Sequence, residues 1–298
     1  MATGNDLIER INRNLYSGVR VARNILVTPY TAAGTTLTMT YSLKGIRPGV
    51  YLSIDLEIFY VLAINEPTKT ATVVGAQLGS VAANHATSAT VEINPQFPRF
   101  SVFESLNDEL ADISSPMYGL FQIKTADLTF NPAFEGFDLV GVTDIIDILE
   151  VRYTAVDGRK RSPEIRDFEL VRDAPVGTFP SGFGLVIQSY ADPGQNIRIK
   201  YRAPFTPVTS VTVANDVVTT TGMTASMLDI PVLGACGRLI AGREVKRNLI
   251  EAQGNTRRSA EVPAGSQLQS AQAFVKLRND RIKAEAARLY AQYPQSWR

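Results

Sequence analysis

The 298-residue chain is 45% hydrophobic and 20% charged, with 30 Lys+Arg against 29 Asp+Glu. That balance fits a folded globular protein, so disorder is not the default reading. One cysteine, Cys236, excludes an intrachain disulfide framework and cysteine-rich zinc sites, and one histidine, His85, leaves a single imidazole for any nucleophile–base pair.

The chain opens with a helix signal, in which Leu7, Ile8, Ile11 and Leu15 recur at helical spacing. Asn5 or Asp6 is placed to cap it and Gly18 to end it. No secretory signal is expected, because Met1–Asp6 lack a basic region followed by an apolar core. From Ile25 to Ile93 the pattern alternates. Five strands are expected at 35–41, 50–54, 57–62, 71–74 and 89–93, with turns at Gly45–Gly49 and Glu66–Pro67. This spacing reads as a small barrel or sandwich, and 25–97 is assigned as a small β-barrel. A helix follows from Arg99 to Ser114, with Phe100, Phe103, Leu106, Leu110 and Ile113 as its apolar stripe. Asp108, Glu109 and Asp112 are assigned to its solvated face. This helix is expected to pack on the first one, making the barrel an insertion in a helical subdomain (1–24, 98–116 and the helix in 209–262).

A second β block covers 117–208, with strands expected at 119–123, 126–130, 146–153, 168–171, 184–190 and 196–202. The last two flank Asp192-Pro193-Gly194 and read as a hairpin. The block reads as an antiparallel β-sandwich. Past Pro204 and Pro207 the helical pattern returns. Pro231, Gly234 and Gly237 predict a bend or a late start in its first half. A loop, 254–265, then precedes a final helix from Ser266 to Tyr290 and a docking tail, which together form a 263–298 segment. The fold class is therefore α+β: a helical subdomain with an inserted barrel, a sandwich and C-terminal helices. No run of roughly 18 apolar residues stands out, so no membrane span is expected.

Chemistry-bearing motifs are sparse. Gly177, Gly182 and Gly184 precede neither a lysine nor a helix, so they make no phosphate loop. Asp144, Asp147 and Glu150 sit among isoleucine and leucine and read as the polar face of a strand. His85 reads as a loop histidine with a local hydrogen bond, and Cys236 as a small buried helix residue. No catalytic, cofactor or metal residue is assigned, and the chain reads as a non-enzyme.

Charge is uneven. Residues 237–298 hold 12 Lys+Arg and 5 Asp+Glu, net +7, while residues 1–236 hold 18 and 24, net −6. Such asymmetry points to a partner for the C-terminal part. Its helix mixes Arg278, Arg281 and Arg288 with Asp280 and Glu285, which favours a protein partner over a continuous phosphate track. Phe274, Tyr293 and Trp297 supply aromatic anchors of the kind enriched at interfaces. The partner-binding set is Phe274, Arg278, Arg281, Arg288, Tyr293, Trp297 and Arg298. Removal of everything after Gly265 is expected to leave a folded body that no longer joins its partner.

Three stretches carry a resemblance. They are Asp6–Ile11 with Phe103–Leu110; Gly75–Ser80 with His85; and Arg238–Glu244, Val262–Gly265 and Arg288–Pro294. Their order resembles the head-to-tail adaptor (connector or neck) proteins of tailed bacteriophages. The resemblance implies a virion structural protein, made in the host cytoplasm, that forms a homo-oligomeric ring of about twelve subunits. It implies docking on the portal protein through the C-terminal helix and tail, and a downstream tail or stopper protein as a second partner. DNA would pass through the ring without sequence-specific binding, and no cofactor or membrane is involved. The β blocks also fit an alternative, a virion β-sandwich binding module of a baseplate, tail or decoration protein.

Overall fold

A computed structural model describes residues 2–115, 117–142, 144–154, 164–188, 195–252 and 266–293, with side chains for all of these except 243–252 and 266. The chain is mixed α+β, with antiparallel sheets, one of them curled, and long C-terminal helices. It divides into two compact units. One comprises Met1–Leu110, Pro207–Thr220 and Thr224–Arg281; the other comprises Ala111–Thr206, Thr221–Met223 and Ile282–Arg298.

The first unit begins with α1 (Gly4–Tyr16), which buries Leu7, Ile8 and Ile11. Its cap is Thr3 rather than Asn5 or Asp6. The Thr3 hydroxyl accepts from the Asp6 N–H (3.1 Å), and the Asp6 carboxylate accepts from the Thr3 N–H (2.8 Å). Asp6 thus completes a capping box from inside the first turn. Six strands follow: β1 (Ala22–Ile25), β2 (Thr36–Thr38), β3 (Tyr51–Ile54), β4 (Glu57–Asn65), β5 (Thr70–Val74) and β6 (Thr90–Ile93). They form one antiparallel sheet in the order β1-β6-β3-β4-β5-β2. Five match the expected strands; β1 was not anticipated. Just past β1, Val27 N–H donates to Thr38 O and Ile25 O accepts from Thr40 N–H, both at 2.9 Å. These bonds draw the two edge strands together, and the sheet curls around Leu37, Leu52, Phe59, Val61 and Val91. Then comes α2 (Arg99–Ile113), which buries Val102, Leu106 and Leu110. Asp108 is exposed as expected, but Glu109 is not: it faces inward and is 1% exposed.

The second unit carries β7 (Gln122–Leu128), β8 (Phe137–Asp138), β9 (Asp147–Tyr153), β10 (Glu164–Ile165), β11 (Phe168–Val171), β12 (Gly184–Ile187) and β13 (Ile197–Ala203). They form two antiparallel sheets, β10-β9-β13-β7 and β11-β12-β8, over a shared core that includes Leu128, Phe137, Val151, Leu185 and Ile199. One strand, β7, replaces the two expected at 119–123 and 126–130. The expected β12–β13 hairpin does not form. β12 pairs with β11 and β8, whereas β13 pairs with β7 and β9. The Asp192-Pro193-Gly194 signal lies outside the described residues. A turn signal marks a reversal of the chain, and here the two arms enter different sheets.

Three helices close the chain: α3 (Val217–Thr221), α4 (Asp229–Ala252) and α5 (Ser266–Gln292). The expected 254–265 loop lies outside the described residues. α4 starts at Asp229, ahead of Pro231, and is continuous through Gly234 and Gly237, so it does not start late. Pro231 sits in the first turn, where its missing N–H breaks no helical bond. α1 packs along α4, and it is tied to α2 through Arg99, which donates to Asn5 Oδ1 (3.1 Å) and to Glu9. Contrary to expectation, Ala225–Gly242 is long and apolar enough to cross a membrane by composition. Half of it is buried, however, and its charged residues are paired inside the unit: Asp229 with Arg281 and Arg238 with Glu109. These are the marks of a core helix.

Candidate functional site

The most organised polar site lies in the first unit, around His85. The β3–β4 connection is a two-residue turn, with Ile54 opposite Glu57. Asp55 takes a left-handed φ of +51° there, a conformation that aspartate tolerates better than most residues. The turn leaves the Asp55 side chain at the surface and starts β4 with Glu57, whose side chain is fully buried. His85 arrives from the segment after β5 and is fixed by a reciprocal backbone pair with Tyr30, 2.9 Å each way. Its Nδ1 lies 2.9 Å from Asp55 Oδ2 and its Nε2 lies 2.9 Å from Glu57 Oε2. Glu57 also accepts from the N–H of Ala76 (3.1 Å) and of Ala83 (2.9 Å). Gly75 makes room for this carboxylate, since a Cβ there would sit 2.3 Å from Glu57 Oε1.

The bonding requires a particular protonation state. A neutral imidazole donates from only one nitrogen, whereas both nitrogens here face carboxylate oxygens. Burial of His85 lowers its pKa, but the hydrogen bonds to Asp55 and Glu57 outweigh this and raise it above the ordinary 6.5. The bond from His85 in turn holds Asp55 below the ordinary carboxylate value of 3.8. With both nitrogens donating, neither is free to take a proton from a bound molecule. The residues Val81–His85 form one wall of a cavity of about 640 Å³, whose other walls include Asp55, Arg99, Phe103 and Asn107. His85 is therefore no loop histidine with a single local bond; it bridges two carboxylates in a buried setting.

A second charged cluster joins α2, α4 and α5. The Glu109 carboxylate accepts from Arg238 Nε (3.1 Å) and from Arg278 Nε. Burial pushes its pKa up against the pull of both arginines, and the net direction is up. Gly234 lets the carboxylate reach α4, because a Cβ there would lie 2.1 Å from the carboxyl carbon. Cys236, two residues on, is buried, and burial pushes its thiol up to about 11. A thiol reagent at neutral pH is accordingly expected to label Cys236 only when the chain unfolds, with labelling tracking the denaturation curve.

The C-terminal residues singled out from sequence fall into separate settings. Arg278 is 5% exposed and bound to Glu109, which places it in the interior of the first unit rather than on a partner surface. Arg281 forks onto Asp229 (2.7 and 3.3 Å) and donates to Ser226 O (2.8 Å). Arg288 pairs with Glu285 at 2.9 Å. In the second unit, Lys200 Nζ lies 4.9 Å from the Tyr293 ring centroid, and the Arg202 guanidinium stacks over Phe121 (4.6 Å) and Tyr290 (5.7 Å). Phe274 is half-buried. Trp297 and Arg298 lie outside the described residues. Of the three acids read as the polar face of a strand, Asp147 and Glu150 lie on β9; Asp144 pairs with Lys124, Asp147 with Arg202 and Glu150 with Arg152. Among the described residues no group of three His, Cys, Asp or Glu side chains could hold a metal ion. No protein-family model matches the chain, and no curated protein matches it.

Proposed function

We propose that this chain is a structural subunit of a tailed-phage neck, assembling into a ring and docking on the portal through α5. The observation that carries this reading is that α5 leaves aliphatic side chains in solvent on more than one side. Leu268, Val275 and Leu277 are 47%, 41% and 55% exposed. Meanwhile Ala271, Arg278, Ile282, Glu285 and Leu289 form the buried stripe of the same helix. Exposed aliphatic side chains on a helix that already has a buried face favour a protein partner. The chain order of α1, curled sheet and α2, all within one unit but for the end of α2, supports the adaptor resemblance. In this reading the curled sheet serves as the inserted barrel and the two-sheet unit as the sandwich. The ring would be the non-enzymatic lining of a DNA channel.

Deletion of everything after Gly265 is a poor test, because it would strip Arg278 from buried Glu109 and Arg281 from Asp229. Surface substitutions are cleaner. Leu268→Asp with Leu277→Asp is expected to leave the thermal midpoint unchanged and to weaken assembly at least about tenfold, read as particle mass by light scattering. Unchanged assembly by this double variant would sink the α5 docking surface.

A further inference from the structure

We infer that His85 is a charge-dependent latch, whose imidazolium pins the cavity wall Val81–His85 to the β3–β4 turn and whose deprotonation releases that wall. The inference is independent of which partner the chain takes. It rests on geometry. Two carboxylates from one turn flank one ring, and each nitrogen is 2.9 Å from an oxygen. Loss of either proton turns a donor into a lone pair facing an oxygen, which converts attraction into repulsion. At Glu57 this happens where water cannot compensate, because both side chains are buried.

Four charged or titratable groups surround the ring, and the two carboxylates hold it charged. Asp55 and Glu57 face it from the hairpin; Tyr30, whose pKa burial raises, lies against it with ring centroids 6.1 Å apart. Arg99, from α2, acts on Asp55 and is itself paired with Glu9. No cation other than the imidazolium touches the buried Glu57 carboxylate among the described residues. The wall depends on that carboxylate as well, since Ala83 N–H donates to the same Glu57 oxygen that His85 engages. Unlatching therefore loosens the Ala83 amide together with the ring.

Because His85 is the only histidine, its ring ¹⁵N signals are unambiguous in the full-length protein. We expect both nitrogens to be protonated at neutral pH. We also expect the Ala83 amide, corrected for intrinsic base catalysis, to exchange on the order of tenfold faster above the His85 midpoint. Asp55→Asn keeps a residue suited to the left-handed turn and removes the exposed carboxylate; it should move the ring titration and the Ala83 transition together to lower pH. A neutral ring at pH about 6.5, Ala83 protection indifferent to the ring's titration, or an Asp55→Asn variant that shifts one midpoint without the other would each overturn the latch.

Discussion

Replacing Glu109 by alanine is expected to destabilise the first unit by about 3–5 kcal/mol, because it takes a buried carboxylate away from the guanidinium groups of Arg278 and Arg238. Arg278 is 5% exposed, so water cannot take over when the carboxylate goes. Arg238 is in a different position: its side chain is 40% exposed, and Arg238→Ala should cost only about 1 kcal/mol. Glu109→Gln tests the charge alone, since it keeps the volume and one acceptor. Urea denaturation of the three variants would give the order Glu109→Ala, then Glu109→Gln, then Arg238→Ala. A Glu109→Ala variant as stable as the parent would mean that the contact between Glu109 and Arg278 contributes little to stability.

That cluster also shows where sequence reasoning stops. Glu109 follows Asp108 on a helix with an apolar stripe, and both look like solvent-facing acids. The difference lies in what comes to meet them. Arg238 and Arg278 are 129 and 169 residues away in sequence, and no local pattern announces their approach. The one available signal was Gly234 within an otherwise apolar helix. A glycine that survives mid-helix despite its entropic cost often marks a close approach, and here it admits the Glu109 carboxylate. By contrast α2, α5 and five strands of the curled sheet were legible, because one buried face imposes a period of 3.6 or 2 on the side chains. β8 and β10 span two residues each, too short to show any period, and the one buried residue of β1 is the polar Asn24, so that strand carries no apolar alternation. Their existence depends on partners far along the chain.

The His85 site was half legible. The sequence contains one histidine, and it contains Asp55 and Glu57 two residues apart beside an apolar run. Nothing local joins them across 30 and 28 residues. A carboxylate opening the run Ile58-Phe59 was the clue. In a strand buried on both faces at its start, such a carboxylate must find donors. It finds three, one of them the histidine.

Removal of that carboxylate is the second large effect expected. Glu57→Ala orphans the N–H groups of Ala76 and Ala83 and leaves the His85 imidazolium facing only Asp55, at a cost of about 3–5 kcal/mol. Glu57→Gln retains an oxygen for the amides and should cost about 1–2 kcal/mol. The two variants also differ from the parent in pH dependence, with a sign that follows from the shifts. His85 is raised above 6.5 in the folded chain. Its contribution is therefore fully present below 6.5 and is lost as pH rises through the folded value. Asp55 is lowered below 3.8, so its contribution is present above 3.8 and is lost as pH falls through its own folded value. The parent should be most stable between those limits and should weaken on the alkaline side. Without Glu57 the ring loses one of the two acceptors that hold it charged, and the alkaline decline should shrink. Denaturation midpoints at about pH 6 and about pH 9 measure both effects at once. If the parent's midpoint does not fall between them, or falls equally in Glu57→Ala, then Glu57 is not the group that ties His85 protonation to folding.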